Sequence, residues 1–412
     1  MLASKLHWTF LFGVVTIYGI NRGFAYSLGT VATEYYIKDV QKVQPSEYQS
    51  INAITKIPWI IKPLWGILTD VLLIYGFHRK PYFIIAGKCH SKSEHILNNC
   101  LINYMLCISL CSLSSSVGAL VGFFMSSILV HFVCSKGVFG LLTFPLALVT
   151  LVGIVFIEDP HKQEFKTFTD AWNALCRRMK RSEVWHPSLY MYISLDFGVN
   201  IHEGLFYCSQ IQRMDIVGFI SSIGSIGSII GTLLYQLVLK DHLFRNIFKW
   251  TQILFALSGM FDLMFLLRLN LKFGLPDYPF IVVDEIVHEM IECLKWMSIK
   301  VLANKLCPDG NEGTFFTLLM SIANLGVITS NGLGDILLHV LKVTGTEFGN
   351  LWLAVLVRNV MRLLPLFFCF LCLKEIRKQS SYRMREKKLG INQQMRKMGK
   401  NMKQKSCHHN KL

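Results

Sequence analysis

The sequence has little charge over most of its length. Only 17% of its 412 residues are Asp, Glu, Lys or Arg, whereas soluble domains carry about 25%. Hydrophobic residues make up 52% of the chain and occur in long blocks rather than alternating with polar residues. Blocks of about 20 apolar residues are typical of transmembrane helices, because a helix satisfies its backbone hydrogen bonds inside a bilayer. We therefore predict an all-α, polytopic membrane protein.

The sequence also lacks the short motifs of several enzyme classes. It contains no H-E-x-x-H, no G-x-S-x-G and no nucleotide-binding glycine loop, so we do not expect an enzyme. Its 12 cysteines are scattered, and Cys407-His408-His409 stands alone near the end. We expect no disulfide, no bound metal and no cofactor.

Most of the excess positive charge lies in one segment. The net charge is +16, and residues Lys374 to Leu412 include 13 Lys or Arg against two acidic residues. Tyr382 is the only aromatic residue in this segment, which disfavours stacking on nucleic acid bases. A cytoplasmic tail beside anionic lipids explains the segment better.

The apolar blocks predict ten membrane-spanning helices. Their approximate ranges are 8–30, 49–74, 101–133, 138–158, 187–208, 216–240, 246–269, 279–303, 314–341 and 351–373. Basic residues lie between these blocks at 78–80, 160–186 and 240–249. By the positive-inside rule, these segments and both termini are expected in the cytoplasm. Within the longest of them, the sequence AWNALCRRMKR predicts either a surface helix or a solvated linker.

Small residues recur at every fourth position in two of the blocks. Gly118, Gly122 and Ser126 form one row, and Gly227 and Gly231 form another. Inside a membrane, such rows let two helix backbones approach closely. These rows predict helix packing rather than substrate binding.

The second apolar block ends in residues with a defined spacing. They are Gly66, Asp70, Gly76, Arg79 and Lys80. This order resembles the G-x-x-x-D…G-x-[RK]-[RK] signature of the major facilitator superfamily, which implies a gating latch that breaks as a transporter changes state. The alternative is a helix that simply ends in polar residues.

Longer stretches resemble one family within that superfamily. WIIKPLWGILTDV, GFHRKPY, SKGVFGLLTFP, NIHEGLFY, LRLNLKFGLPDY and KLCPDGNEGTFF are similar to segments of the folate–biopterin transporter family, and of its plant branch in particular. The resemblance covers most of residues 6–373 and implies a major-facilitator-like fold of two helix bundles. The expected divisions are an N-terminal bundle at 1–158, a cytoplasmic loop at 159–186, a C-terminal bundle at 187–373 and a basic tail at 374–412.

The resemblance also implies a function. It predicts a symporter that moves folates, pterins or similar anions together with protons. The plasma membrane and an organelle membrane both remain open. One departure from the family is that two helices, the usual third and fourth, are expected to be missing between residues 87 and 111. The alternative function is therefore a transport-inactive or regulatory relative, or a splice form.

Charged and polar residues inside the spans are candidates for substrate contact, because a charge inside a bilayer needs a partner or a function. They are Lys62, Asn200, Glu203, Asn324, Arg358 and Arg362. Arg358 and Arg362 share a helix face, and a guanidinium pairs well with a carboxylate of the substrate. The alternative for these two arginines is structural pairing with Asp262 or Asp335.

Proton coupling needs carboxylates or imidazoles that can take up a proton in place. Asp284 and Glu285 belong to an acidic group in the eighth predicted span, and His202 precedes Glu203 in the fifth. Neighbouring carboxylates disfavour ionising together, which suits proton uptake. A buried network of ion pairs is the alternative for this group.

Overall fold

The computed structural model describes residues 8–71, 104–145, 147–149, 168–194, 214–240, 242, 244–307, 312–344, 347 and 349–368. Within these ranges every regular element is helical, as the sequence predicts. The α-helices are α1 (Trp8–Val14), α2 (Tyr26–Tyr35), α3 (Pro45–Thr55), α4 (Ile57–Val71), α5 (Tyr104–Leu141), α6 (Phe168–Met179), α7 (Ser182–Ser194), α8 (Met214–Leu234), α9 (Phe244–Leu266), α10 (Leu269–Lys272), α11 (Asp277–Leu306), α12 (Glu312–Val340) and α13 (Leu351–Met361).

The first helix is longer than the sequence predicts. The π-helical segments Val15–Ala25 and Tyr36–Val40 join α1 and α2 into one helix that ends at Val40, so the predicted end at residue 30 is wrong. Val31, Ala32 and Ile37 are buried and continue the apolar face between polar neighbours. The polar residues of this stretch lie on the other face of the helix, so they do not end it. The chain leaves the helical conformation only near Lys42, which has a positive φ of 52° that helical residues do not adopt.

The second predicted span is divided into α3 and α4. α3 begins at Pro45, with this proline in its first turn, which is the helical position that tolerates proline best. The helix breaks at Lys56, and Pro58 then lies in the first turn of α4. The predicted start at residue 49 is therefore too late by one turn.

The boundary between the third and fourth predicted spans lies at Cys134. This residue has φ 59° and ψ 166°, although helical residues continue on both sides as far as Leu141. Helical residues also occur at 143–145 and 147–149. The two spans thus follow each other with a single non-helical residue between them instead of a loop at 134–137.

The helices pack through the two predicted rows of small residues. On α5, Gly118 lies against the carbonyl of Gly19, and Gly122 lies against the backbone of Phe24. On α8, Gly227 lies against the carbonyl of Ile286 in α11. A Cβ atom at any of these glycines would overlap the neighbouring backbone, so the structure confirms the packing prediction.

Two seams join the N-terminal helices to the C-terminal helices. At the first, the Ser222 hydroxyl of α8 donates to the Leu120 carbonyl of α5 at 2.9 Å. At the second, α3 and α4 run antiparallel to α12, because Ser50 contacts Asp335 and Trp59 contacts Ser321. α8 also packs along α11, and α11 leads to the charged region described below.

Four helical stretches of the described chain are long and apolar enough to cross a membrane. They are Ile108–Val149, Gly218–Leu239, Thr314–Val340 and Leu351–Phe368. α11 has 30 residues but includes acidic and basic side chains along much of its length.

The predicted loop at 159–186 contains α6, which confirms a helix in this segment. α7 begins at Ser182, before the predicted start of the fifth span at residue 187.

Candidate functional site

A buried ion pair joins α13 to α9. The Arg358 guanidinium donates through Nη2 to the Asp262 carboxylate, and the two side chains are only 1% and 4% exposed. The other terminal nitrogen of Arg358, Nη1, is also enclosed and has no hydrogen-bond partner. Arg358 thus pairs with Asp262, which is one of the two structural pairings that the sequence left open. Its Nη1 nitrogen takes no part in this pair.

Gly259 makes room for the side chains of α13. A Cβ atom there would overlap the Asn359 amide and lie 2.7 Å from Nη1 of Arg362. The Asn359 amide donates to the Gly259 carbonyl at 2.5 Å, and its oxygen accepts from Nε of Arg358 at 3.4 Å. The close approach of α9 and α13 holds Arg358 in place.

Phe255 lies beside two further cations. Cζ of Arg362 is 3.9 Å from the centre of the ring, and Nζ of Lys295 in α11 is 3.8 Å from it. Arg362 also donates to the Phe255 carbonyl at 3.3 Å, and Gln252 donates to the Arg362 carbonyl at 2.7 Å. Cation–π contacts of this kind are stronger where water is excluded, so an aromatic ring helps to hold buried positive charge here.

Acidic side chains of α11 complete the cluster. The Asp284 carboxyl group lies beside that of Asp262 and near Arg358 and Arg362. Asp262 and Asp284 therefore form a pair of neighbouring carboxyl groups beside two guanidinium groups.

A second acidic group lies one step along α11. Glu285 is close to Glu289, Asp284, Asp262 and Glu292. Gly224 of α8 packs against the Glu285 side chain, where a Cβ atom would lie 2.6 Å from its Cγ. The neighbouring Ser228 hydroxyl donates to Glu289 at 2.7 Å. The structure thus brings the predicted proton-coupling residue Asp284 next to the predicted anion contacts Arg358 and Arg362, with Glu285 near Asp262.

We call the group of charged residues around Asp262 the ion cluster. Its members are Asp262, Asp284, Glu285, Lys295, Arg358 and Arg362, from α9, α11 and α13. Charges of both signs in a region this enclosed stabilise one another, and removing a single partner leaves an uncompensated charge. The cluster thus places carboxylates and cations from three helices in one enclosed region.

Polar side chains of α12 contact the N-terminal helices. The Ser321 hydroxyl donates to the Trp59 carbonyl at 2.9 Å, and Asp335 accepts from Ser50 at 2.6 Å. Asp335 is therefore not the partner of either predicted arginine in these contacts. Asn324 is half-buried on α12, and its role in substrate contact stays a prediction.

The remaining predicted residues are only partly described. Lys62 is half-buried, with Nζ 5.4 Å from the centre of the Trp59 ring, and Gly66 lies against Thr314 and Thr317 of α12. The residues that lie outside the described part of the chain are Gly76, Arg79, Lys80, Asn200, His202, Glu203 and the side chain of Asp70. The gating latch stays a prediction.

The sequence interpretation did not include the α9 face of the site. Gln252, Phe255, Gly259 and Asp262 follow one another at intervals of three, four and three residues, so they share one helix face. This face carries two polar residues and a glycine within an otherwise apolar block. Such a pattern in the sequence indicates a helix face that contacts other polar groups. Only Asp262 was considered, as a structural partner.

The fold is that of a polytopic helical membrane protein of the major-facilitator-like class. The crystal structure of the nucleoside transporter NupG superposes with a TM-score of 0.59 at 12% identity, covering 88% of this chain and 98% of that chain. A similarity at this level of identity shows the fold alone. The chain is thus an integral membrane protein.

The chain belongs to the BT1 family, whose sequence model matches residues 22–100 and 105–389. It is 62% identical over 420 residues to the probable folate-biopterin transporter 2 of Arabidopsis thaliana, covering 90% of this chain and 84% of that protein. It is 58% identical over 417 residues to probable folate-biopterin transporter 5 of the same plant, covering 90% and 85%. These relatives confirm the resemblance and place the chain among transporters rather than enzymes.

The alignment with the first relative is longer than the part of this chain that it covers. Ninety per cent of this chain is about 371 residues, so about 49 of the 420 aligned positions have no counterpart here. The family match is also interrupted between residues 100 and 105. Both observations support the expectation of two missing helices, which stays a prediction because residues 72–103 lie outside the described part of the chain.

Proposed function

We propose that this chain carries folate- or pterin-type organic anions across a membrane together with protons, by alternating access between its two sets of helices. The names of its relatives support the substrate class, since two of them share 62% and 58% of the aligned residues and are named folate-biopterin transporters. The ion cluster supports the chemistry of anion binding and proton uptake.

The observation that carries the proposal is the second nitrogen of Arg358. Nη2 is bound by Asp262, whereas Nη1 is buried and has no hydrogen-bond partner. A guanidinium binds a carboxylate best through two parallel N–H···O bonds. A substrate carboxylate that replaces Asp262 can accept hydrogen bonds from both terminal nitrogens of Arg358. The substrate thereby gains the bond to Nη1 that Asp262 does not make.

Proton uptake follows from this exchange. When the substrate carboxylate replaces Asp262 at Arg358, Asp262 loses its counter-charge beside Asp284. A proton taken up by the pair then removes the buried negative charge that has lost its counter-charge. Binding of the anion is thereby linked to uptake of one proton, and release on the other side reverses both events.

Alternating access uses the two seams between the sets of helices. α5 meets α8 at one seam, and α3 and α4 meet α12 at the other. Gly66 lies against Thr314 and Thr317, so the helices at the second seam approach closely along their length. Close contact at both seams is suited to rocking of one set of helices against the other.

The experiment that tests the proposal is uptake of radiolabelled folate by a transport-deficient host. We expect the wild-type chain to accumulate folate when the outside is more acidic than the inside, and to lose this uptake in Arg358→Lys. Arg268→Gln is the matched control, because Arg268 pairs with Asp277 at 2.7 Å in an ion pair that is 40% and 33% exposed. Correctly inserted protein without uptake of any folate or pterin would contradict the proposal.

The alternative of a transport-inactive relative depends on the two expected missing helices. Nothing in the described residues favours it over transport. Sequencing the transcript across the codons for residues 72–103 tests whether the shortened segment is present in the expressed message. The cytoplasmic position of both termini also stays a proposal, supported by the basic tail.

A further inference from the structure

Two carboxamide side chains lie fully enclosed at the seam between α3 and α12. Gln49 of α3 and Asn331 of α12 are both 0% exposed. Neither the oxygen nor the nitrogen of either amide has a hydrogen-bond partner. Buried amides are almost always hydrogen-bonded, because an unsatisfied polar group in a dry interior is costly. Four such atoms in two neighbouring helices therefore require a partner of their own.

The two amides lie on facing helices of the same seam. Gln49 directly precedes Ser50, whose hydroxyl donates to Asp335 at 2.6 Å. Asn331 lies one helical turn before Asp335, which corresponds to about 6 Å along the axis of α12. Because α3 and α12 run antiparallel, Gln49 and Asn331 lie on either side of the Ser50–Asp335 contact, about 7.5 Å apart along the helix axes. One amide belongs to the N-terminal helices and the other to the C-terminal helices.

The chemistry of the amides narrows the class of ligand. Each amide offers an NH₂ donor and a carbonyl acceptor, and both kinds of atom are without partners. A cation would bind the carbonyl oxygens but leave the NH₂ groups unsatisfied, and an anion would do the reverse. A flat ring with adjacent donors and acceptors along its edge satisfies all four atoms, in the way that Asn and Gln read the edge of a nucleobase.

We propose that Gln49 and Asn331 bind the ring of the transported molecule, through the amino and lactam groups along the edge of a pterin. This inference rests on the proposed function, and it adds a ring site to the anion site at Arg358. The ring site spans both sets of helices, so a bound ring links them at the seam. Asn324 lies seven residues from Asn331 on the same face of α12 and extends the polar face further along the helix.

The test is binding of two probes to the purified full-length chain. Biopterin contains the pterin ring without a glutamate, and p-aminobenzoylglutamate contains the glutamate without the pterin ring. Gln49→Leu and Asn331→Leu keep most of the side-chain volume but remove the hydrogen-bonding atoms. We expect each variant to weaken biopterin binding at least about tenfold and to leave binding of p-aminobenzoylglutamate unchanged. Ser50→Ala is the control at the same seam, and we expect it to bind both probes as the wild type does.

Other outcomes would overturn the inference. Unchanged biopterin affinity in Asn331→Leu, or an equal loss for both probes in either variant, would show that the amides do not read the ring. If a leucine variant does not fold, Asn331→Asp and Gln49→Glu test the same point, because they remove the NH₂ donors while keeping the shape. Wild-type protein that does not bind biopterin would also overturn it.

The same measurements separate this inference from the proposed function. Binding of biopterin that depends on Gln49, in a chain that does not move folate, would remove the transport proposal and keep the ring site. Folate uptake by the wild type together with unchanged ring affinity in both leucine variants would keep transport and remove the ring site.

Discussion

Arg358 of α13 and Asp262 of α9 form an ion pair whose side chains are 1% and 4% exposed. The acidic partner also lies beside Asp284 of α11. Three helices thus converge on one guanidinium through two carboxyl groups. An ion pair in this position is a weak contributor to stability in itself, because desolvation of the two charges offsets their attraction. In the proposed mechanism, the pair instead exchanges its carboxylate for that of the substrate.

The single variant Asp262→Asn is expected to destabilise the protein strongly. It leaves the Arg358 charge enclosed without its carboxylate, and breaking a buried pair in this way costs about 3–5 kcal/mol. The corresponding change in the exposed pair, Arg268→Gln, is expected to cost about 1 kcal/mol or less. Thermal unfolding of the two variants in detergent measures the difference. Equal stability of the two would show that the Arg358–Asp262 pair is not enclosed as described.

Asp284→Asn is expected to uncouple folate uptake from the proton gradient. The variant keeps a group that can hydrogen-bond to Asp262 but cannot release a proton. Uptake driven by an acidic outside should fall to the level found without a gradient, whereas exchange of internal for external folate should continue. Counterflow in proteoliposomes measures the exchange. Gradient-driven uptake at the wild-type rate would exclude Asp284 from proton coupling.

Arg362→Lys is expected to weaken substrate binding without unfolding the chain. Lysine keeps the positive charge beside Phe255 but loses the planar fork that binds a carboxylate and stacks on the ring. We expect the KM for folate to rise about tenfold, which corresponds to about 1.4 kcal/mol. Concentration-dependent uptake, corrected for the amount of protein in the membrane, measures it. An unchanged KM would leave Arg362 with a structural role only.

Two glycine variants test the packing between α8 and α11. Gly227→Ala is expected to destabilise the protein by about 1–3 kcal/mol, because its Cβ atom would overlap the Ile286 carbonyl and overpacking has costs of this size. Gly332→Ala is the control, since no atom lies within 4 Å of its added Cβ. Alanine is a better helix former than glycine by about 1 kcal/mol, so the control should be as stable as the wild type or more so. The reverse order of unfolding temperatures would contradict this packing.

Most of the fold could be predicted because it follows from the length and spacing of apolar blocks. The errors are located where local geometry decides. The helix at Trp8–Val40 continues through polar residues because one face stays apolar, and a hydropathy pattern does not separate the two faces of one helix. The predicted boundary after residue 133 is confirmed, but the interruption is the single residue Cys134 with a positive φ of 59°, whereas the predicted spans leave four residues between them.

The site was predicted in part, for a similar reason. The depth of Arg358 and Arg362 in the last apolar block, and the acidic pair Asp284–Glu285, follow directly from the sequence. Their meeting does not, because it depends on how α9, α11 and α13 pack around Gly259 and Phe255. Whether Arg358 pairs with Asp262 or with Asp335 was open in the sequence, since both acids lie inside apolar blocks. Only the three-dimensional packing assigns Asp335 to Ser50 instead.

The measurement that tests the central claim most directly removes both charges of the buried pair at once. In Asp262→Leu/Arg358→Leu, no uncompensated charge remains, and replacing a buried ion pair by apolar residues is often neutral for stability or better. We predict that this double variant reaches the membrane, unfolds at or above the wild-type temperature and takes up no folate. Uptake of folate by the stable double variant at the wild-type rate would contradict the claim that this ion pair exchanges its carboxylate for the substrate.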